Sequence, residues 1–226
     1  MLAFAKAVAL GITHLETDVH STLDGIAVIS HDPDLKRTAN RTDRVDQLTM
    51  AELRSIDLGH GQGFITLAEL LDEFPQARFN IDIKSEAAAA PAAAAIIKAN
   101  AVGRVLITSF NDKRRRAATD RMPGVATSAS APSFVLAFAL ARLNLGRLAA
   151  WVLRHVEAVQ VPEKIAFFHT CTPRTVRIFH QAGLEIHVWT VNDAKSMLRL
   201  FSHGVDGVFT DRADIAIGVL HQLRNP

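Results

Sequence analysis

The sequence contains no tyrosine and a single cysteine, and both shortages exclude classes of chemistry. None of the 226 residues is a tyrosine, so phenol chemistry is excluded. Cys171 alone can form neither a disulfide within the chain nor a thiolate-rich metal site, and we expect it to be a packed small residue rather than a nucleophile.

The formal net charge is only +2. No nucleic-acid partner is therefore expected.

Long uninterrupted apolar segments are also missing. Residues 1–10 are apolar but short, and they lack the basic beginning of a secretory signal, so we expect an amphipathic helix ended by Gly11 in a cytoplasmic chain. The longest apolar stretch, Phe134–Leu153, is interrupted by two arginines and an asparagine, which argues against a membrane span. We predict a buried or rim helix there. Weak contact with a membrane surface through residues 134–153 is the alternative.

Short β-branched runs alternate with helical segments, which predicts an α/β fold with a parallel sheet and helical crossovers. The seven predicted parallel strands lie near residues 14–19, 79–84, 105–110, 125–127, 158–161, 186–191 and 205–210. A polar insertion at about 33–63 interrupts what we expect to be one domain over residues 1–226. A closed barrel and an open doubly wound sheet both fit this alternation. No glycine-rich phosphate loop follows a strand, which weakens the dinucleotide-binding interpretation.

The first 32 residues contain the most closely spaced candidate metal-binding and acid/base side chains. Glu16 and Asp18 are two positions apart in a predicted strand, so both carboxylates point to one face and repel each other unless a cation lies between them. The next extended run ends at His31, a proton-transfer candidate. The residues alone thus predict a hard-cation site with an acid/base group beside it.

Several short segments, taken in order, resemble the glycerophosphodiester phosphodiesterase family. The resemblance runs over nearly the whole chain, and its pieces are Glu16-Thr17-Asp18-Val19, Thr22-Leu23-Asp24-Gly25, His31-Asp32 with Arg37-Thr38, Leu48-Thr49 with Glu52-Leu53, Asn80-Ile81-Asp82-Ile83-Lys84, Ser109-Phe110, Trp189-Thr190-Val191-Asn192, and Gly204-Val205-Asp206-Gly207 with Thr210-Asp211. Each piece is weak by itself, but the ordered set is specific. The resemblance implies a TIM-type (β/α)8 barrel. It also implies an enzyme that hydrolyses glycerophosphodiesters to glycerol 3-phosphate and an alcohol with a divalent cation.

One part of the family pattern has no counterpart in the printed sequence. The family begins with a His-Arg-Gly strand and a Pro-Glu-Asn-Thr segment, whereas Met1-Leu2-Ala3-Phe4 aligns directly with its first helix. We therefore expect a barrel lacking its first strand, with the edges of its first and last strands exposed. Two explanations remain open. In the first, the start of the chain is assigned too late. In the second, the chain is a truncated relative of the family that has no catalytic activity. In-frame codons upstream of Met1 would distinguish them.

The resemblance also assigns roles to individual residues. Glu16, Asp18 and Asp82 are the expected cation ligands, with Asp82 standing where the family has Glu. Three carboxylates with water suit Ca²⁺ or Mg²⁺ and not Zn²⁺. His31 is the expected general acid/base.

Three further residues are expected to bind the glycerophosphodiester. Lys84 shares a strand face with Asp82 and is predicted to bind a phosphate oxygen, with a salt bridge to that carboxylate as the alternative. Gln160 is predicted to bond a substrate hydroxyl and Trp189 to pack against the glycerol carbons. A purely structural role is the equal alternative for each, which for Trp189 means packing in the core. A phospholipase-type phosphodiesterase and a non-catalytic metal- or glycerophosphate-binding barrel remain the competing functions.

Overall fold

A computed structural model describes residues 1–224, and this part of the chain divides into two compact units. The first unit comprises Met1–Val8 and Thr13–Ala126. The second comprises Ala9–Ile12 and the described residues from Thr127 onward. That residues 1–226 form a single domain stays a prediction.

The first unit is built on a mainly parallel sheet in the order β2-β1-β3-β4. β3 pairs in parallel with both β1 and β4, whereas the short β2 runs antiparallel to the end of β1. The strands are β1 His14–Ser21, β2 Ala27–Ile29, β3 Arg78–Ile83 and β4 Val105–Thr108; β5, Ala126–Thr127, spans the boundary between the units. The helices are α1 Leu2–Ala9, α2 Lys36–Ala39, α3 Met50–Arg54, α4 Leu67–Glu73, α5 Glu86–Lys98 and α6 Asp112–Thr119, with 3₁₀ turns at Val45–Gln47 and Val102–Arg104.

Alternation along the strands gives the first unit its apolar layer. Phe79, Ile81 and Ile83 of β3 are buried on one face of the sheet, as successive strand residues point to opposite faces. The alanine-rich helix α5 buries Ala88, Ala92 and Ile96 and packs close to β1 and β3. The opposite face of the strands is thereby left to the polar residues.

The polar insertion has a small apolar core of its own. Its buried cluster consists of Val28, Leu35, Val45, Met50, Leu53, Ile56 and Phe64. Thr49 and Glu52 form a reciprocal cap at the start of α3, in which each side chain bonds the other's main-chain N–H. The predicted polar insertion therefore contains short helices, of which α3 is capped.

The second unit is built on a parallel sheet in the order β10-β9-β6. Its strands are β6 Ala158–Pro162, β9 Glu185–Trp189 and β10 Gly207–Val208, and β7 Lys164–Ile165 with β8 Phe168–His169 form a small hairpin. The helices are α7 Ala131–Arg142, α8 Gly146–Val152, α9 Pro173–Gln181, α10 Ala194–Ser202 and α11 Ala213–Arg224. One apolar cluster joins the inner faces of these helices to Val159, Ile186 and Val188 of the sheet.

The seven strand positions predicted from the sequence each contain a strand, although β5 and β10 are only two residues long. The prediction of a single helix over Phe134–Leu153 was wrong. The stretch belongs to two helices, α7 and α8, because the chain turns between them at Asn144, whose φ of 64° is left-handed. Within residues 1–224, no helix is both long and apolar enough to cross a membrane.

We expect Cys171 to be unreactive in the folded protein. It is 4% exposed, and burial raises the pKa of its thiol to about 11. At pH 8 only about one thiol in a thousand is then ionised, and the thiolate is the reactive form. Titration with Ellman's reagent should give slow reaction in buffer and one rapid equivalent in guanidinium, with Cys171→Ala as the blank. Rapid reaction of the folded chain would contradict the buried placement.

Candidate active site

The polar face of β1 and β3 carries a ladder of functional side chains. Glu16 stands in register with Asn80, and Asp18 stands in register with Asp82. The ladder follows from the alternation, because Leu15, Thr17 and Val19 of β1 are buried on the opposite face. The pairing of β1 with β3 therefore brings together Asp18 and Asp82, which are far apart in the sequence.

Lys84 lies between the two aspartates. Its Nζ is 2.7 Å from Asp18 Oδ1 and 2.7 Å from Asp82 Oδ2. The ammonium group also lies 6.0 Å from the centre of the Phe110 ring. The predicted salt bridge between Lys84 and Asp82 is thus present, and it includes Asp18 as well.

Burial and charge act in opposite directions on this cluster. Burial raises the pKa of the Asp82 carboxyl, and the bond to Lys84 only partly offsets that rise. Burial lowers the pKa of the Lys84 ammonium, but its bonds to Asp18 and Asp82 outweigh this, so that the pKa is raised overall. Lys84 therefore remains charged at neutral pH and holds the neighbouring carboxylates together.

His31 lies just beyond β2, and Asp32 orients its ring. The main chain of Ser30 donates to the Asp18 carbonyl at 3.0 Å, which fixes this segment beside β1. His31 Nδ1 is 2.6 Å from Asp32 Oδ1, and Asp32 Oδ2 accepts from Arg37 Nε at 2.6 Å. The Arg37 guanidinium, followed by the bond from His31, lowers the pKa of Asp32. An ionised Asp32 only accepts, so we assign a proton to Nδ1 of the exposed ring.

His20 is the residue of this cluster that the sequence reasoning missed. It is 7% exposed and its ring bonds to the main chain of His31, while its Nε2 is buried without a hydrogen-bond partner among the described residues. Burial is the main reason that the pKa of His20 is lowered. The signal was present in the sequence, because His20 lies two positions after Asp18 on the same strand.

The carboxylate oxygens of this cluster meet only part of what a hard cation such as Ca²⁺ or Mg²⁺ requires. Asp82 Oδ1 is buried and has no hydrogen-bond partner within residues 1–224, and such an oxygen is a ligand that Ca²⁺ or Mg²⁺ prefers. Asp18 supplies a second carboxylate, and Glu16 lies two positions before it on the same strand. No group of three or more His, Cys, Asp or Glu side chains in the described chain is arranged to hold a metal ion. The predicted metal site therefore stays a prediction.

Gln160 and Trp189, the other predicted substrate contacts, lie in the second unit on neighbouring strands. In the register of β6 and β9, Gln160 is opposite His187 and Pro162 is opposite Trp189. Gln160 and Trp189 are half-buried, and Gln160 Nε2 is 3.5 Å from His187 Nδ1. His187, which was not predicted, belongs to the same polar face of this sheet. Substrate binding by Gln160 and Trp189 stays a prediction.

Comparison with known proteins identifies the family. Residues 1–215 match the glycerophosphoryl diester phosphodiesterase family. The chain belongs to this family. "Probable glycerophosphodiester phosphodiesterase 2" of Mycobacterium tuberculosis is 40% identical over 221 residues, which cover 97% of this chain and 84% of that protein.

Solved structures of glycerophosphodiester phosphodiesterases share its fold. That of the Thermotoga maritima protein has a TM-score of 0.74 at 26% identity and covers 96% of this chain and 89% of its own. A phosphodiesterase from Oleispira antarctica, solved with the product sn-glycerol-3-phosphate, has a TM-score of 0.76 at 21% identity and covers 99% of this chain and 90% of its own. The family and the TIM-type α/β fold class expected from the sequence are both confirmed.

Replacing Lys84 by Met should destabilise this family member in a pH-dependent way. The buried Asp82 and its neighbour Asp18 lose their shared cation, which costs about 3 kcal/mol in the free energy of unfolding at pH 7. The pKa of Asp82 in the folded state, already raised, rises further, so the folded state binds the proton more tightly than the unfolded state. The loss should grow as pH rises from 4 to 7 and shrink as pH falls.

Urea unfolding in the presence of a chelator measures this effect. Adding Asp82→Asn to the Lys84→Met variant should restore much of the loss, because one of the two carboxylates is then neutral. Lys98→Met, at an exposed lysine on the last turn of α5, is the matched control and should change stability little. Equal unfolding curves for Lys84→Met and wild type at every pH would exclude the shared ion pair.

Proposed function

We propose that the chain hydrolyses glycerophosphodiesters to glycerol 3-phosphate and an alcohol, with His31 as general acid/base and a divalent cation as cofactor. The observation that carries the proposal is the shared face of β1 and β3. On this face Lys84 lies within hydrogen-bonding distance of both Asp18 and Asp82, with the His31 segment fixed alongside. Membership of the family supports the reaction class.

His31 supplies the proton that the departing alcohol needs. In hydrolysis a water oxygen forms a new bond to phosphorus while the bond to the alcohol oxygen breaks, and the departing alkoxide is a poor leaving group unless it is protonated. His31 Nε2 donates this proton, and Asp32 stabilises the protonated ring while holding Nδ1 in place. The proton released by the attacking water restores the protonated histidine. Arg37 keeps Asp32 ionised, and the buried ring of His20 secures the main chain of His31.

The carboxylates, through a bound cation, and Lys84 would both offset the negative charge of the phosphate. Asp18, Asp82 and Glu16 would hold Ca²⁺ or Mg²⁺, which supplies neutralisation of the phosphate and orientation of the glycerol hydroxyls when bound. Lys84 binds a phosphate oxygen and lowers the charge that builds up during transfer. For this, its ammonium group must exchange one of its carboxylate partners for the phosphate.

The second unit carries the other two residues that we propose as substrate contacts. Gln160 offers an amide to a glycerol hydroxyl, and Trp189 offers an apolar ring to the glycerol carbons. Their neighbouring strand positions, with His187 beside Gln160, support a polar strand face that carries one aromatic group.

Binding without hydrolysis is the second candidate function. One observation favours it: Lys84 already satisfies an oxygen of each aspartate, and the described residues contain no assembled group of three metal-ligating side chains. A chain of this kind would bind glycerol 3-phosphate or a cation and release no product. Calorimetric titration with glycerol 3-phosphate, run beside the activity assay, separates the two functions.

Purified protein should release glycerol 3-phosphate from glycerophosphocholine when Ca²⁺ or Mg²⁺ is present. Chelator should abolish the release, and His31→Ala should lower kcat by about 10²- to 10⁴-fold. A coupled assay for glycerol 3-phosphate measures both effects. His221→Ala, at an exposed histidine of α11, is the matched control and should retain full activity.

Activity that survives chelation would refute the metal requirement. Full activity in His31→Ala would refute the role of that histidine. Binding of glycerol 3-phosphate without turnover by the wild-type chain would favour the second candidate function.

The role of His31 as an acid also predicts a dependence on the leaving group. The p-nitrophenyl ester of glycerol 3-phosphate releases a stable phenolate that needs no proton. The loss caused by His31→Ala should therefore shrink to about tenfold or less on this ester, while it stays large on glycerophosphocholine. Initial rates on both substrates measure the ratio, and equal losses would assign His31 a structural role instead.

A further inference from the structure

The outward faces of α7 and α8 are unusually apolar. On α7 and directly after it, Val135, Leu136 and Leu143 are exposed, the last to 69%. On α8, Leu148 and Trp151 are exposed, and the exposed fraction of Trp151 is 62%. The inner faces of the same helices already pack in the core of the second unit. A helix on the surface of a globular protein normally presents polar residues outward, so this face departs from the usual pattern.

The charge of the same segment has one sign. From Arg121 to Val156 the sequence contains four arginines and no aspartate or glutamate, although the whole chain carries 23 acidic residues. Three of these arginines, Arg142, Arg147 and Arg154, lie in or directly after α7 and α8. The segment that carries the apolar face therefore contributes positive charge alone.

Two of the arginines lie against exposed aromatic rings. The guanidinium carbon of Arg154 is 4.2 Å from the centre of the Trp151 ring, and that of Arg142 is 4.1 Å from the Phe168 ring. The contact with Phe168 extends the surface to the β7–β8 hairpin, where Phe167 is 96% exposed. Tryptophan, phenylalanine and arginine arranged in this way suit the boundary between lipid chains and headgroups.

We propose that this arginine–apolar surface, formed by Val135, Leu136, Arg142, Leu143, Arg147, Leu148, Trp151, Arg154, Phe167 and Phe168, docks on membranes that contain anionic phospholipids. The apolar side chains enter the acyl boundary, and the arginines bind the phosphate groups of the lipid headgroups. The inference goes beyond the proposed function, because it concerns binding and requires no catalysis.

Charge and shape favour a membrane over the other occupants. A second copy of the chain in a two-fold interface would bring the same acid-free face opposite itself and place arginines near arginines. A nucleic acid would match the charge and could stack on the exposed aromatic rings, but it would leave the aliphatic side chains of Val135, Leu136 and Leu143 without an apolar partner. An anionic bilayer satisfies the charged and the apolar parts of the surface together.

Flotation with vesicles tests the proposal directly. Wild-type protein should float with phosphatidylcholine vesicles that contain 30% phosphatidylglycerol, and float poorly with pure phosphatidylcholine or at 0.5 M salt. Arg147→Glu should weaken partitioning by about tenfold or more, because each arginine near an anionic surface contributes about fivefold. Leu136→Ser and Leu143→Ser should weaken it as well.

Matched controls lie in the first unit. Ile97 of α5 is 52% exposed, as is Leu136, so Ile97→Ser should leave binding unchanged. Lys36→Glu, at an exposed lysine of α2, controls for the reversal of one charge. Thermal melting of each variant verifies folding. As a second readout on folded protein, Trp151 fluorescence in a Trp189→Phe background should shift to the blue when anionic vesicles are added.

Two results would overturn the proposal. The first is the absence of both flotation and a fluorescence shift with anionic vesicles. The second is a dimer in sedimentation equilibrium that Leu136→Ser dissociates, which would assign the face to a second copy. Because neither measurement involves turnover, failure of this inference and failure of the proposed hydrolysis are separate outcomes.

Discussion

The contact between Lys84 and the two aspartates is the interaction on which the candidate site depends. Two carboxylates on adjacent strands of a buried sheet repel each other and lose hydration, and a cation is what makes the arrangement stable. Lys84 fulfils that need from the strand that carries Asp82. In the proposed function, a phosphate or a metal ion would therefore have to compete with an existing ion pair, and its binding would be coupled to a rearrangement of Lys84. The buried Asp82 Oδ1, which has no hydrogen-bond partner among the described residues, is where a hard cation would find a ligand already prepared.

The orientation of the His31 side chain is set by its neighbours. The residue is exposed, yet its Nδ1 is bound by Asp32, which is itself bound by Arg37. From the other side, the buried ring of His20 holds the main chain. One nitrogen of the imidazole is thus used for orientation, which is the arrangement that the proposed general acid/base role requires. In the second unit, the arginine–apolar surface is built on different elements and serves a different purpose, since it has no part in the proton chemistry.

Much of the fold and part of the site could be predicted from the sequence. The period-two pattern of β1 and β3 identified both strands and the face that carries Glu16, Asp18, Asp82 and Lys84, because alternation is a property of the local backbone. The ordered motifs predicted the family, which the comparison confirmed. The prediction failed at Phe134–Leu153, where composition indicated one helix. A single left-handed residue, Asn144, divides it into α7 and α8, and periodicity alone does not locate such a turn.

The sequence by itself determined which residue types stand on which strand face, and that no disulfide or thiolate-rich metal site can form. The tertiary structure decided which of those residues meet. Only strand pairing places Asp18 beside Asp82, and only side-chain packing shows that Lys84 bridges both and that His20 lies beneath the main chain of His31. Likewise, the sequence showed an acid-free apolar stretch, but exposure on the folded unit decided which of its side chains face outward. The physical reason is range: periodicity and capping act over a few residues, whereas charge pairing and burial depend on neighbours that are distant in the chain.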